Sequence, residues 1–163
     1  MLANRCTLIG RSGEEKRVVK LVWDDGDVFE GVVEGPNSQL RLVEGSMRWH
    51  GGDEFRGEFQ NDVMHGRGSY FYADGRVFAG EFACGVKCGR GLMTDGEDSF
   101  RGYWRDDVPH GVGLRVQGQE KHCGVFDMGR CCGWGTRQYS PSGMHLGFWK
   151  TVGEREMLEG KAM

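Results

Sequence analysis

The stretch DVMHGRGSYFYADG, residues 62–75, decides how the chain folds. It sets His65 beside Gly66-Arg67-Gly68, continues into an aromatic run and closes on Asp74-Gly75. Taken alone it admits three readings. His65 could be a base or a metal ligand, residues 66–68 a phosphate loop, or the whole stretch one unit of a repeat.

Repetition separates them, because a fixed period is the signature of repeat architectures. The segments EFRGEFQNDVMHGRGSYFYADG (54–75), VFAGEFACGVKCGRGLMTDG (77–96), SFRGYWRDDVPHGVGLRVQG (99–118) and KHCGVFDMGRCCGWGTRQYSPSG (121–143) align in phase. In each, and in the partial copy ending at Trp149, the first glycine is followed two places later by an aromatic. Those aromatics, Phe59, Phe82, Trp104, Phe126 and Trp149, are 23, 22, 22 and 23 residues apart. His65-Gly66-Arg67-Gly68 recurs as Cys88-Gly89-Arg90-Gly91, His110-Gly111-Val112-Gly113 and Cys132-Gly133-Trp134-Gly135. A looser copy runs from Phe29 to Gly51, a half-copy covers 21–29, and HLGFW at 145–149 is a final partial one.

Each unit reads as a β-hairpin. In FRGEF, alternation puts Phe55, Gly57 and Phe59 on one face and Arg56 and Glu58 on the other. The second strand runs from about residue 67, with Ser69, Leu92, Leu114 and Thr136 on one face and Tyr70, Met93, Arg115 and Arg137 on the opposite one. Glycine at the turn dipeptides supplies the left-handed backbone of a tight hairpin. Glycine every few residues opposes helix by up to about 1 kcal/mol each. The expected fold is all-β: a single-layer, elongated antiparallel meander of five to six hairpins over residues 21–153, held by stacked aromatics. CTLI (6–9) and RVVKLVW (17–23) within residues 1–20 and beyond are read as strands capping the first hairpin. Residues 154–163 are read as a tail, with a short helix near 153–159 that turns Met157 and Leu158 inward.

Composition agrees with a repeat and argues against several functions. Twenty-nine of 163 residues are glycine but only three are proline, without the Gly-X-Y period of collagen. A net charge of −3 gives no general attraction to nucleic acid. No apolar run approaches the roughly 18 residues of a membrane-spanning helix. MLANRCTLIGRSGEEK lacks the apolar segment of a secretory signal, so the six cysteines are expected as reduced thiols in a cytosolic compartment.

The pattern aromatic-x-Gly-x-aromatic, then His-Gly-x-Gly, then Asp-Gly resembles the MORN repeat (membrane occupation and recognition nexus). The resemblance covers about residues 21–153, with Val33, Cys88, Cys132, His122 and His145 departing from the pattern. Proteins with such repeats include axonemal components, junctophilins, cytoskeletal collar scaffolds and non-catalytic arms of some phosphoinositide kinases and lysine methyltransferases. It implies an interaction module rather than an enzyme, and no cofactor. The expected partners are other proteins of a larger cytoplasmic, cytoskeletal or ciliary assembly. A partner helix or extended segment would lie in a groove lined by Phe59, Phe82, Trp104, Phe126 and Trp149. Acidic phospholipid is the less favoured partner, because the arginines are interspersed with Asp and Glu. Regulatory subunit of an enzyme is the third reading.

The chemical readings of the opening stretch fall in turn. His65, Cys88, His110 and Cys132 are the right types for zinc, but successive members lie a hairpin apart, roughly 10 Å, and zinc ligands converge within about 2.3 Å of one point. A phosphate loop needs a helix N-terminus after it, whereas a strand follows here. No nucleophile sits in a distinctive turn outside the repeat. The pairs Gly66/Gly68, Gly89/Gly91, Gly111/Gly113 and Gly133/Gly135 are therefore read as structural, as are Gly57, Gly80, Gly102, Gly124 and Gly147.

Overall fold

The computed structural model describes residues 5–10, 16–36, 39–140, 143–152 and 155–159. Every regular element among them is an antiparallel strand. The chain divides into two compact units, Met1–Val86 and Lys87–Met163.

In the first unit, β1 (Arg5–Gly10), β2 (Lys16–Val22), β3 (Val28–Glu34), β4 (Arg41–Arg48), β5 (Glu54–Gln60), β6 (Val63–Phe71) and β7 (Val77–Ala83) each pair with the next in sequence. In the second, β8 (Val86–Asp95), β9 (Asp98–Arg105), β10 (Val108–Gln117), β11 (Glu120–Asp127), β12 (Arg130–Ser140), β13 (Gly143–Val152) and β14 (Arg155–Glu159) do the same. Strand order equals chain order within each unit, so each is a meander.

Two turn types alternate. The tight ones place two consecutive residues in the left-handed region, as at Asn61-Asp62 (φ 51° and 63°) and Asp106-Asp107 (φ 48° and 67°). That backbone matches the twist of the flanking strands. Asn and Asp tolerate it better than other non-glycine residues, so glycine is not needed at either turn. The wider turns use the Asp-Gly dipeptide: the Tyr72 N–H donates to the Arg76 carbonyl at 2.9 Å and the Gly75 N–H to the Tyr72 carbonyl at 3.0 Å.

A line of glycines crosses the sheet of each unit. Gly31, Gly45, Gly57, Gly68 and Gly80 are successive cross-strand partners. So are Gly91, Gly102, Gly113, Gly124, Gly135 and Gly147. The first aromatic of a repeat lies on this line: a Cβ built at Gly57 would sit 2.7 Å from Phe55 Cζ, and one at Gly102 would sit 2.9 Å from Phe100 Cζ. Rings then meet edge to face along the same side, Phe55 with Phe59 at 5.2 Å and with Phe82 at 5.1 Å, and Phe100 with Phe126 at 4.8 Å. Such pairs add about 0.5–1.5 kcal/mol each beyond burial. The glycine floor lowers the rings into the sheet, which lets a single layer bury Phe29, Phe55 and Phe78 completely. His122 takes the place of the first aromatic in its repeat and packs edge-on to Phe126 (5.5 Å) and Trp149 (5.2 Å).

The expected helix near 153–159 is not formed. Arg155–Glu159 is β14, paired with β13 from Phe148↔Glu159 to Val152↔Arg155. Met157, expected inward, is 52% exposed. Five residues are too few to nucleate a helix in water, while the free edge of β13 offers a ready row of donors and acceptors. Residues 153, 154 and 160–163 of the predicted tail lie outside the described residues.

Candidate functional site

The two glycines of the opening motif have different jobs. The first takes a left-handed backbone, with φ 74° at Gly66, 58° at Gly89, 75° at Gly111 and 67° at Gly133. The ladder slips beside it, between Gly57 and Phe59, between Pro109 and Gly113, and between Gly124 and Val125. This is a β-bulge with glycine at its left-handed position. The second glycine (Gly68, Gly91, Gly113, Gly135) belongs to the floor beneath the rings. Neither forms a phosphate cradle.

The histidines of the motif make local contacts. The Cys84 N–H donates to His65 Nδ1 at 3.4 Å, and His110 Nδ1 lies 3.2 Å from Asp127 Oδ1. Among the described residues no cluster of three or more His, Cys, Asp or Glu is placed to hold a metal ion. Cys131 is buried opposite Phe126, while Cys123 is exposed on the other face opposite Thr136. Burial, and then the Asp127 charge, push the Cys132 thiol up, away from a reactive thiolate.

Aspartates that sequence reasoning overlooked tie successive turns together. Asp27 Oδ1 accepts from the His50 N–H at 2.9 Å, Asp53 Oδ1 from Ala73 at 2.8 Å, and Asp98 Oδ1 from Gly118 at 2.8 Å. At the opposite strand ends, Asp62 Oδ1 accepts from Leu42 at 2.8 Å and Asp107 Oδ1 from Lys87 at 2.9 Å. Tyr70 Oη adds a 2.6 Å bond to Asp53 Oδ2, and burial together with this partner pushes its phenol up. The signal was present in the sequence: Asp27, Asp53 and Asp98 each stand two residues before the first aromatic.

The aromatics expected to line a partner groove, Phe59, Phe82, Trp104, Phe126 and Trp149, are interior residues, none more than 9% exposed. Lys87, Arg115 and Arg137 lie over the rings of Trp104, Phe126 and Trp149 at 5.6, 4.8 and 4.4 Å. Rings this covered stabilise their own unit and offer little surface to a partner.

The exposed apolar surface lies on the opposite face of the second unit. Val112 faces Val125 across β10 and β11, and Trp134 faces Phe148 across β12 and β13, with ring centroids 6.0 Å apart. One row further, Leu114 faces Cys123 and Thr136 faces Leu146. Trp134 is 67% exposed, Val112 60% and Leu146 54%. The same face of the first unit carries paired charges instead: Lys20–Glu30 at 2.5 Å, Arg56–Glu54 at 2.8 Å and Arg48–Glu54 at 3.8 Å. One repeat pattern thus presents a solvated face in one unit and an apolar face in the other.

Comparison with known proteins agrees with the geometry. The MORN repeat family model matches residues 55–75, 78–97 and 100–116. Alsin from Homo sapiens and from Pan troglodytes is 29% identical over 111 residues, which are 66% of this chain and 6% of Alsin. The chain therefore spans only a small part of the length of the relatives it matches. The upstream copy at 29–51 and the copy at 121–143 lie outside the matched segments but share the glycine register. With bulge glycine, floor glycine and aromatic pair recurring in phase, residues 55–116 are built of MORN repeats.

Proposed function

We propose that this protein is a non-enzymatic scaffold that holds other proteins of a cytoskeletal or ciliary assembly. MORN repeats as a family mediate protein or membrane-lipid interaction. One observation carries the protein reading: the repeat residues that could have done chemistry have structural work, while apolar side chains stand exposed together on one sheet face. Contiguous exposed apolar surface marks interaction sites. The cytoskeletal and ciliary setting rests on the resemblance to axonemal and cytoskeletal MORN scaffolds.

Proximity labelling with the tagged chain in its own cells tests this. Cytoskeletal or axonemal proteins enriched over a cytosolic control support it; labelling confined to membrane proteins and indifferent to Trp134→Glu argues against it. The membrane reading draws on the basic residues around the same face, Arg101, Arg105 and Lys121. Strong, salt-sensitive co-sedimentation with phosphoinositide vesicles would favour it.

A further inference from the structure

We infer that the apolar face of the second unit is a docking surface for an amphipathic helix whose apolar stripe is flanked by Asp and Glu. The inference rests on the protein-interaction reading and names the kind of partner.

The argument begins with charge. Alternation places Arg101, Arg105, Lys121 and Lys150 on the same side of the sheet as Val112, Val125, Trp134 and Phe148. All four cations are exposed. Two acids share this side: Asp127, whose carboxylate lies 3.2 Å from His110 Nδ1, and Glu159, opposite Phe148 in the register of β13 and β14, so the cations outnumber them. The face is therefore basic around an apolar centre, although the whole chain is acidic at −3. A basic rim around exposed Trp and Phe suits an apolar segment with acidic flanks, since complementary potentials steer encounter and reject like-charged partners. Aromatic side chains at the centre of a patch are the usual anchors.

Size supports a helix. Four strands from β10 to β13 place the outer rows about 14 Å apart across the sheet. A helix laid across them presents roughly three turns of its stripe, and its diameter of about 10 Å is far less than the strand length. It would fit between the turns at the two ends of the strands. The turns bordering them carry Asp106, Asp107 and Glu120, and the neighbouring β8–β9 turn carries Asp95 and Glu97. A flat anionic bilayer pressed on the patch would bring its headgroups against these acids. A second copy docked face to face would set Arg101, Arg105, Lys121 and Lys150 near their own duplicates. Charge therefore disfavours both and favours a narrow acidic helix.

Selection from a displayed library of random helix-forming peptides tests the inference on the full chain. Enriched peptides should combine apolar residues at helical spacing with an excess of Asp and Glu. Trp134→Glu, and separately Arg101→Glu with Arg105→Glu, should weaken their binding at least about ten-fold. Ala79→Glu, on the same face of the first unit, should leave it unchanged. Thermal melts confirm that each variant folds, as expected for exposed positions. Phosphatidylserine/phosphatidylcholine vesicles and sedimentation velocity form the other arms. Peptides that bind equally to Trp134→Glu would overturn this surface and leave the interaction reading standing. Vesicle binding lost in the same variants, without peptide enrichment, would replace the helix with a membrane. A dimer abolished by Trp134→Glu would replace it with a second copy. Enrichment of nothing, with no vesicle binding and no dimer, would overturn both the surface and the interaction reading.

Discussion

Gly57 on β5 faces Gly68 on β6, and the ring of Phe55 lies over both. A Cβ at Gly57 would sit 2.5 Å from the Arg67 carbonyl oxygen and 2.6 Å from Gly68 Cα. Most of that obstruction is backbone, which cannot swing aside. The pair lets an aromatic side chain drop to the level of the strands, and it recurs from hairpin to hairpin within each unit.

Gly57→Ala should therefore destabilise the first unit by at least the roughly 1–3 kcal/mol of overpacking. Gly51→Ala is the internal control, because nothing lies within 4 Å of a Cβ there. It should be neutral or slightly stabilising through the unfolded chain. Thermal and urea melts of the two variants give the comparison. Equal midpoints would mean that Phe55 does not rest on the glycine floor.

The bulge glycine should behave differently from the floor glycine. At Gly111 a new Cβ meets only the Tyr103 side chain, no nearer than 3.4 Å, so the obstacle is its left-handed φ of 75°. Gly111→Ala should cost about 1–2 kcal/mol, and Gly111→Asn less, because Asn enters that region more readily. At Gly113, where Phe100 Cζ would be 2.5 Å away, Asn should be worse than Ala. Reversed rankings at the two positions are the expected melting result; the same ranking at both would show one cause rather than two.

Acid should probe β4 and β5. Arg56 Nε and Ser46 Oγ donate to Glu54 Oε1 at 2.8 and 2.6 Å. These bonds, the one from Arg56 first, hold the Glu54 carboxyl down at about 2 against an ordinary 4.5. A carboxyl lowered in the folded state stabilises fully above its unfolded pKa and loses that contribution as pH falls through its folded one. The loss should thus run from about pH 4.5 down to about 2. In Arg56→Ala the carboxyl should titrate nearer its ordinary value, as followed by carbon-detected NMR. A midpoint unmoved in that variant would assign the effect to Ser46.

The edge strand gives the last test. β14 covers β13, pairing Trp149 with Leu158. Truncation after residue 152 should leave β13 with an unpaired edge and promote self-association, since exposed edges template further pairing. Light scattering across a concentration series reads this out. A truncated chain that stays monomeric at an unchanged melting temperature would show that β14 is not what protects the edge.

Period and alternation in the sequence carried the all-β meander and the pairing of first and second strands in each hairpin. They also marked both glycines of the motif as structural, because a catalytic or ligand site breaks a repeat and these positions never do. They did not separate the bulge from the floor, since a left-handed φ and a close ring both select glycine. The Asp clasps were visible as a repeated residue, but their acceptor geometry depends on turns about 20 residues apart meeting in space. The last strand departs from the expected helix because local propensity favours helix over EREML, and only the vacant edge of β13 reverses that preference. Which face of the second unit carries its exposed apolar side chains was also a tertiary decision. The sequence marks aromatic residues without saying whether they lie in the floor or stand clear of it. Phe126 is buried on the glycine side, whereas Trp134, a few residues on, is exposed on the other. Cys131 pairs with Phe126 and shares its face, and alternation from there puts Trp134 on the other; the two-residue register shift beside Gly133 preserves that assignment, because only an odd slip would reverse it.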